Sequence, residues 1–256
     1  KKFLKKDELL IEKGEIIGFS GNTGGSSGPH LHFEIREKKS QKPINPLLYN
    51  LPVYDDQRPL IQKLFIFYPN KNQILPHIQT IQLNRTNDSL YETAKIETTG
   101  KIGLGIQMFD RQDLSYSKNG VYSTKVIVNG KVISHYKFDK LIINESKKLY
   151  QIIDYRSYVQ KRLKIFKLFY SEDVKLNFMS SLIDNGLFEI ELGKSYQVLV
   201  ETEDFSGNKS IIETYIEGIE NERKQLKLRG ELIKTDQDYL YSYKNKEVYF
   251  PKDTFF

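Results

Sequence analysis

Runs rich in β-branched and aromatic side chains recur between residues 60 and 219, a pattern typical of β-strands. The clearest runs are residues 64–68, 105–109, 121–128 and 196–200. Between the runs lie sequences that tolerate a positive φ angle in a tight turn, namely Asn119-Gly120, Asn129-Gly130 and Ser206-Gly207-Asn208. Several short strands at this spacing predict a β-sandwich over residues 60–219.

The first 52 residues contain shorter strand-like runs and many turn formers. Residues 15–19 and 31–35 flank a loop over residues 20–29 that consists of Gly, Ser, Asn, Thr and Pro. This composition predicts a compact β unit crossed by a glycine-rich loop. Prolines at positions 43, 46, 52 and 59 follow, and because proline supplies no ladder donor and holds its neighbours extended, they predict a linker over residues 53–59.

One later segment departs from the strand pattern. Val159, Leu163, Phe166 and Tyr170 recur at helical spacing with basic residues between them, which predicts an amphipathic helix near residues 157–171. We interpret its basic side as a solvated face without a function of its own. Further on, strand-like runs at 231–233 and 247–250 predict the start of another β segment over residues 220–256, which we expect to be truncated.

Composition narrows the classes of function. The 256 residues carry 39 Lys and Arg against 33 Asp and Glu, and the net charge of +6 is spread along the chain instead of forming a nucleic-acid-binding block. No apolar run approaches the roughly 20 residues of a transmembrane segment. The chain has no cysteine, which excludes disulfides, thiolate ligands and a thiol nucleophile, so His, Asp and Glu remain as possible metal ligands.

The residues with the clearest chemistry are 30–36, which read His-Leu-His-Phe-Glu-Ile-Arg. In a strand, this alternation places His30, His32, Glu34 and Arg36 on one face and three apolar side chains on the other, where they would pack on a core and hold the strand rigid. Imidazoles on consecutive same-face positions lie roughly 7 Å apart, so one can bind a metal ion while the other handles protons. Two histidines on a solvent-facing strand are the alternative interpretation.

The sequence around the histidines resembles a known family. The stretches KGEIIGFSGNTG at 13–24 and SGPHLHFEIR at 27–36 together resemble the C-terminal signature of lysostaphin-type (LytM-like) zinc metallopeptidases. The step PINP at 43–46 is similar to the end of that domain. The resemblance implies that residues 1–52 are the C-terminal portion of an antiparallel β peptidase domain with an open groove. In such a domain Zn²⁺ and its water hydrolyse the peptide cross-links of bacterial peptidoglycan.

The family's motif also implies roles for single residues. His32 matches the metal ligand and His30 the catalytic histidine that does not bind the metal. Glu34 either supports an imidazole or forms a salt bridge with Arg36. We expect the loop from Gly24 to Gly28 to border the groove, because backbone without side chains lets an extended peptide approach closely. The candidate substrate-binding residues are Asn22, Gly24, Gly25 and Ser26. The implied partners are peptidoglycan stem peptides, and the implied location is the cell envelope, periplasmic or secreted.

The sequence departs from the family in one respect. A catalytic zinc takes about three protein ligands, and the family takes its other two from an upstream His-x-x-x-Asp motif. The 29 residues before His30 contain no histidine, and we interpret His77 and His135 as ordinary structural or surface residues. Either the missing ligands precede Lys1 in a longer enzyme, or the protein is a noncatalytic peptidase-like regulator or wall-binding module. We favour the first, because the histidine pair and the glycine loop are intact, and expect this chain alone to hold zinc weakly and to be inactive.

The second region resembles bacterial immunoglobulin-like domains. Gly105-Ile106 opens one predicted strand, Gly120-Val121-Tyr122 starts another, and residues 203–208 are similar to the Asp-x-x-Gly-Asn turn of those domains. The resemblance implies a spacer or a docking surface for envelope proteins. The sequence thus predicts a mainly β protein, in which a partial antiparallel β peptidase domain is followed by an immunoglobulin-like β-sandwich with a helical insertion.

Overall fold

The computed structural model describes residues 5, 7–22, 28–69, 76–113, 115–139, 151–170, 178–220, 233–234 and 236–254. The described chain is mainly β, as the sequence predicts. Contacts divide it into two units, Lys1–Glu220 and Asn221–Phe256. The finer boundaries at residues 52 and 59 remain predictions.

The larger sheet of the first unit has eight strands, numbered here in chain order. They are β5 (Asn84–Arg85), β6 (Leu90–Glu92), β7 (Ile96–Thr98), β9 (Ser123–Val128), β10 (Lys131–Lys137), β12 (Met179–Leu182), β14 (Ser195–Glu203) and β15 (Lys209–Gly218). The order across the sheet is β12-β10-β9-β14-β15-β6-β5, and β7 also pairs with β15. Only β6 and β7 run parallel to β15, while the other described pairings of this sheet are antiparallel.

The smaller sheet has five strands and is antiparallel throughout its described pairings. They are β3 (Leu60–Tyr68), β4 (His77–Ile81), β8 (Gly100–Phe109), β11 (Phe166–Lys167) and β13 (Phe188–Ile190). The order is β11-β8-β3-β4, and β13 pairs with the other end of β8. The predicted strands at 64–68, 105–109 and 196–200 therefore exist, and the run at 121–128 begins its strand at Ser123.

Side chains from both sheets form one buried cluster. Leu64 and Ile66 of β3 belong to it together with Val198 of β14 and Ile212 of β15, and all four are fully buried. Burial alternates along β14 and β15, as expected of strands that turn one face to a core and the other outward. The hydrophobic core of this unit therefore lies between the two sheets.

Residues 64–68 of β3 are buried on both faces, which agrees with their uninterrupted apolar run. Phe65 and Phe67 point away from the main cluster and form a second one with Ile165. Gly105 pairs with Phe65 across the sheet, and a Cβ atom there would lie 2.5 Å from Phe67 Cε2 and 2.9 Å from Ile165 Cγ2. The absence of a side chain at Gly105 is what allows this second layer to close over the sheet.

Two of the three predicted turns are confirmed. Asn129 and Gly130, with φ angles of 47° and 77°, connect β9 to β10. Gly207, with a φ angle of 92°, lies in the turn from β14 to β15. The predicted turn at Asn119-Gly120 is wrong, because Asn119 instead pairs with Asp110 in an isolated antiparallel bridge with backbone hydrogen bonds of 2.8 and 3.0 Å.

The predicted helix near residues 157–171 is wrong in extent. Helix α1 spans Tyr155–Lys161 and ends where Arg162 takes a left-handed φ angle of 54°. Phe166 lies instead in β11, and Ile165 packs under Phe65 and Phe67. Tertiary packing against the smaller sheet therefore overrides the helical spacing of the apolar residues.

The segment before the two sheets has little regular structure. Strand β1 (Ile35–Arg36) pairs antiparallel with β2 (Pro43–Ile44), and a 3₁₀ helix spans Pro46–Tyr49. The predicted strand at residues 15–19 is wrong, because this stretch is irregular and exposed. The predicted strand at 31–35 reaches a ladder only at its last residue, Ile35.

The second unit contains a hairpin in its described part. Strand β16 (Tyr239–Tyr243) pairs antiparallel with β17 (Lys246–Phe250), which confirms the strand predicted at 247–250. Most of the strand predicted at 231–233 lies outside the described residues. Within the described part of the chain, no helix combines the length and apolarity needed to cross a membrane.

Candidate catalytic site around His30 and His32

The segment with the two histidines follows the glycine-rich loop. An antiparallel bridge joins Gly21 to His30, and the His30 amide donates to the Gly21 carbonyl at 3.4 Å. The bridge closes the loop at its base, next to Asn22, one of the predicted substrate-binding residues. The other three, Gly24, Gly25 and Ser26, lie outside the described residues.

The polar side chains after His30 form a chain of contacts. Arg36 donates to Glu34 Oε2 from Nε at 2.7 Å and from Nη2 at 2.5 Å. The other carboxylate oxygen, Oε1, lies 3.5 Å from His32 Nε2. The hydrogen bond from Arg36 is the main cause of a lowered Glu34 pKa, and His32 acts in the same direction. Glu34 thus makes both of the contacts that the sequence left as alternatives.

The contacts of His30 restrict which of its ring nitrogens can act as a base. Its Nδ1 lies 3.0 Å from the carbonyl oxygen of Gly28. A carbonyl only accepts hydrogen bonds, so Nδ1 carries the hydrogen and Nε2 is the nitrogen that can accept a proton in the neutral ring. Both imidazoles are exposed, and the His32 side chain keeps 72% of its surface accessible. A solvent-borne substrate can therefore reach both rings.

The predicted rigid support for this segment is wrong. The apolar face of residues 31–35 was expected to pack on a core, yet Leu31 is 85% exposed and Phe33 58% exposed. The reason is that β1 pairs only with the two-residue β2, so no neighbouring strand extends along Leu31 or Phe33 in the described chain. Burial and a continued ladder are what would hold such a strand.

The donors near His32 suit part of a zinc site. An exposed imidazole whose Nε2 faces a carboxylate is a common arrangement for a zinc-ligating histidine, because the carboxylate fixes the tautomer. A catalytic zinc centre nevertheless takes about three protein ligands besides its water. Among the described residues, the one group of three mutually close His, Asp or Glu ligand atoms is Asp55, Asp110 and Asp204, and it includes neither histidine. The described residues therefore fit a partial zinc site.

The remaining two histidines have structural surroundings. His77 stacks on Tyr68, with ring centroids 5.6 Å apart. His135 Nε2 lies 3.0 Å from the Ser123 hydroxyl oxygen. Burial lowers the pKa of His135, and Lys125 and Lys137 lower it further. These contacts agree with the interpretation of both as structural residues.

Sequence reasoning missed a second group of functional interest, the three aspartates Asp55, Asp110 and Asp204. Two of them border a cavity of about 880 Å³ whose lining is mostly apolar and includes Leu47, Val53, Met108 and Phe166. Because the three positions are 55 and 94 residues apart in the sequence, no local motif could have revealed them.

Comparison with known proteins places the two histidines in a recognised family segment. Residues 1–46 match the model of peptidase family M23. No solved structure matches the chain.

Several curated proteins are similar to the same part of the chain. The DD-carboxypeptidase/endopeptidase Mpg of Neisseria meningitidis is 50% identical over 42 residues, which are 16% of this chain and 9% of that protein. An uncharacterized metalloprotease of Haemophilus influenzae is 47% identical over 51 residues, 20% of this chain and 10% of that protein. The peptidoglycan DD-endopeptidase ShyA of Vibrio cholerae is 40% identical over 52 residues, 20% of this chain and 12% of that protein. The matched segments thus span about a tenth of the length of these relatives.

Proposed function

We propose that residues 1–46 belong to the catalytic domain of a zinc metalloendopeptidase that hydrolyses peptide cross-links of bacterial peptidoglycan. The observation that carries the proposal is the exposed pair His30 and His32 inside the segment that matches peptidase family M23. The similarity to a peptidoglycan DD-endopeptidase supports the substrate class.

In this proposal His32 is a zinc ligand. Its Nε2 faces Glu34, so a hydrogen on Nε2 leaves the lone pair of Nδ1 for a metal ion. Arg36 keeps Glu34 in place through two donors and keeps its carboxylate ionised. When bound, zinc lowers the pKa of a water molecule toward about 7 and polarises the scissile carbonyl.

His30 acts on protons in this proposal. The Gly28 carbonyl holds the hydrogen of Nδ1, which leaves Nε2 to take a proton from the attacking water and to return it to the leaving amine. The bridge to Gly21 sets the position of His30 at the base of the loop. Asn22, with Gly24, Gly25 and Ser26, would bind the stem peptide beside it.

Further ligands are needed to complete this centre, because His32 supplies one of about three. We expect a His-x-x-x-Asp motif in sequence that precedes Lys1. The 256-residue chain alone would then hold zinc weakly and hydrolyse nothing.

Residues 60–219, which contain both sheets and are called the two-sheet unit below, would serve as an immunoglobulin-like β-sandwich beside the peptidase segment. The common core between its sheets and the turn at Gly207 support this assignment. Such a module would act as a spacer or as a docking surface for envelope proteins, in the periplasm or outside the cell.

The test is hydrolysis of purified cross-linked muropeptides by the protein expressed together with the sequence expected before Lys1. His30→Ala should lower the rate about 10²–10⁴-fold, the usual contribution of a positioned proton-transfer group. His77→Ala is the matched control and should keep the wild-type rate, because His77 lies in β4, outside the segment with His30 and His32, and stacks there on Tyr68. If the wild-type protein leaves the muropeptides intact, the noncatalytic regulator becomes the better hypothesis.

A further inference from the structure

Three aspartates that are distant in the sequence meet at one place in the first unit. Asp55 lies in the segment before β3, Asp110 directly follows β8, and Asp204 directly follows β14. One carboxylate oxygen of each lies within 4.8 Å of the other two. Like charges at this separation repel strongly, and more so out of water, and either a proton or a bound cation supplies the positive charge that relieves the repulsion.

The described residues do not supply that charge. Asp110 is 6% exposed and Asp204 1% exposed, yet no described Lys or Arg forms an ion pair with either of them or with Asp55. Arg111, the next residue in the chain, places its guanidinium over the ring of Phe109 at 5.3 Å. An ionised, buried carboxylate without a cationic partner is costly and therefore rare in native proteins.

One oxygen of the group is an unpartnered acceptor. Asp110 Oδ1 is buried and has no hydrogen-bond partner among the described residues. Asp204, by contrast, accepts from the Asn208 amide at 2.9 Å and from Asn208 Nδ2 at 2.8 Å, and each of its oxygens keeps a further lone pair. Burial, and then the charges of Asp204 and Asp55, raise the pKa of Asp110 to about 7. The unpartnered oxygen and the closeness of the three carboxylates are both typical of a cation site.

We propose that Asp55, Asp110 and Asp204 bind a calcium ion. The donors are all oxygen, which favours a hard cation over zinc. Oxygens that share one calcium at 2.3–2.6 Å are at most about 5 Å apart, which agrees with the grouping of the three carboxylates. The adjoining cavity, which Asp55 and Asp110 line, offers room for the water ligands that bring calcium to its usual six to eight oxygens. Irregular donors from three separate segments suit calcium better than magnesium, which demands near-ideal octahedral geometry.

The ion would fasten the segment over residues 53–59 to the two-sheet unit. Protein contacts already hold this segment at several points. Asn208 Nδ2 donates to the Asp55 carbonyl at 2.8 Å and the Ser210 hydroxyl to the Pro59 carbonyl at 2.6 Å, and residues 56–58 form further hydrogen bonds to Asp113 and Lys209. Calcium would add the Asp55 side chain and tie it to the ends of β8 and β14. Calcium would then strengthen the connection between the histidine segment and the sheets.

The test is calorimetric titration of the 256-residue protein with calcium chloride after treatment with EGTA, together with thermal unfolding. Calcium should bind with one-to-one stoichiometry and raise the melting temperature in proportion to the logarithm of its concentration. Asp110→Asn, which keeps the shape but removes the charge, should weaken binding at least about tenfold. In EGTA this variant should melt no lower than the wild type, because it relieves the repulsion.

Two matched variants separate this site from others. Asp88→Asn makes the same change at an exposed carboxylate and should keep wild-type calcium binding. His32→Ala should keep it as well, which distinguishes this site from the proposed zinc centre. The proposal is overturned if calcium up to about 10 mM gives neither heat nor a shift in melting temperature, or if Asp110→Asn binds calcium like the wild type. An equal shift with magnesium overturns the assignment to calcium.

Discussion

The half-buried imidazole of His135 couples the stability of the two-sheet unit to pH. Burial and the nearby Lys125 and Lys137 lower its pKa below the ordinary 6.5. The unfolded chain therefore binds more protons at this position than the folded protein does once the pH falls below about 6.5. The stability that the neutral ring contributes is complete above that pH and is lost as the pH falls through the lowered pKa.

His135→Gln should therefore flatten the pH dependence of stability. Gln keeps a polar group that can bond to Ser123 but cannot titrate. The free energy of unfolding, measured by urea denaturation between about pH 7.5 and pH 5, should fall less steeply in the variant than in the wild type. The comparison cancels all other titrating groups. Parallel curves for the two proteins would contradict the lowered pKa.

A site whose residues are neighbours in the chain can be recognised from the sequence, whereas a site whose residues are far apart in the chain leaves no local pattern. His30 and His32 are two positions apart, so their pattern and their resemblance to a family stand out in the sequence alone. Asp55, Asp110 and Asp204 come together only because β8 of one sheet and β14 of the other end at the same place, and this depends on how the two sheets pack, which no local pattern specifies. The exposure of Leu31 and Phe33 could not be predicted for the same reason, because it depends on whether a neighbouring strand covers them.

At the scale of elements, α1 is short and depends on its end residues. Asp154 accepts a hydrogen bond from the Ser157 amide at 2.8 Å and so caps the first turn. Arg162, in the left-handed conformation, ends the helix after seven residues. A helix of this length has little stability of its own, so the cap contributes a large share of it.

Asp154→Ala should lower the free energy of unfolding by about 1 kcal/mol, within the range of 0.5–2 kcal/mol typical of lost caps. Asp154→Asn is the matched control and should cost much less, because Asn is an equally good cap without the charge. Urea denaturation of the three proteins is the measurement. If the Asn variant loses as much stability as the Ala variant, the charge and not the cap stabilises this region.

Two of the three predicted turns and most strands with strong local signals are confirmed, whereas the turn at Asn119-Gly120 and the elements governed by packing are not. Asn129 and Gly130 both tolerate the positive φ angles that a two-residue connection requires, and the apolar run at 64–68 is by itself typical of a buried strand. The spacing of Val159, Leu163 and Phe166 is an equally clear local signal, and it predicts a helix. In the fold, Phe166 pairs with Ile106 of β8, and the backbone follows that pairing.

On the scale of the whole molecule, the two parts of the first unit differ in how they are held. The sheets share a core of fully buried side chains, whereas the segment before them exposes Ile16, Ile17, Phe19 and Leu31. Several large apolar side chains exposed within one short segment are typical of a surface that another part of a protein normally covers. This agrees with the proposal that residues 1–46 are part of a larger catalytic domain, in which they would gain the strand neighbours that β1 lacks.

Zinc content distinguishes the two proposed roles, in which His32 binds zinc while His30 handles protons. In the protein expressed with the sequence expected before Lys1, purified and freed of loosely bound metal, we expect about one zinc per molecule in the wild type and in His30→Ala. His32→Ala should lose most of its zinc, because a ligand is removed from a centre that has only about three. Equal zinc content in the two variants, or loss in His30→Ala alone, would show that the two histidines do not divide the roles in this way.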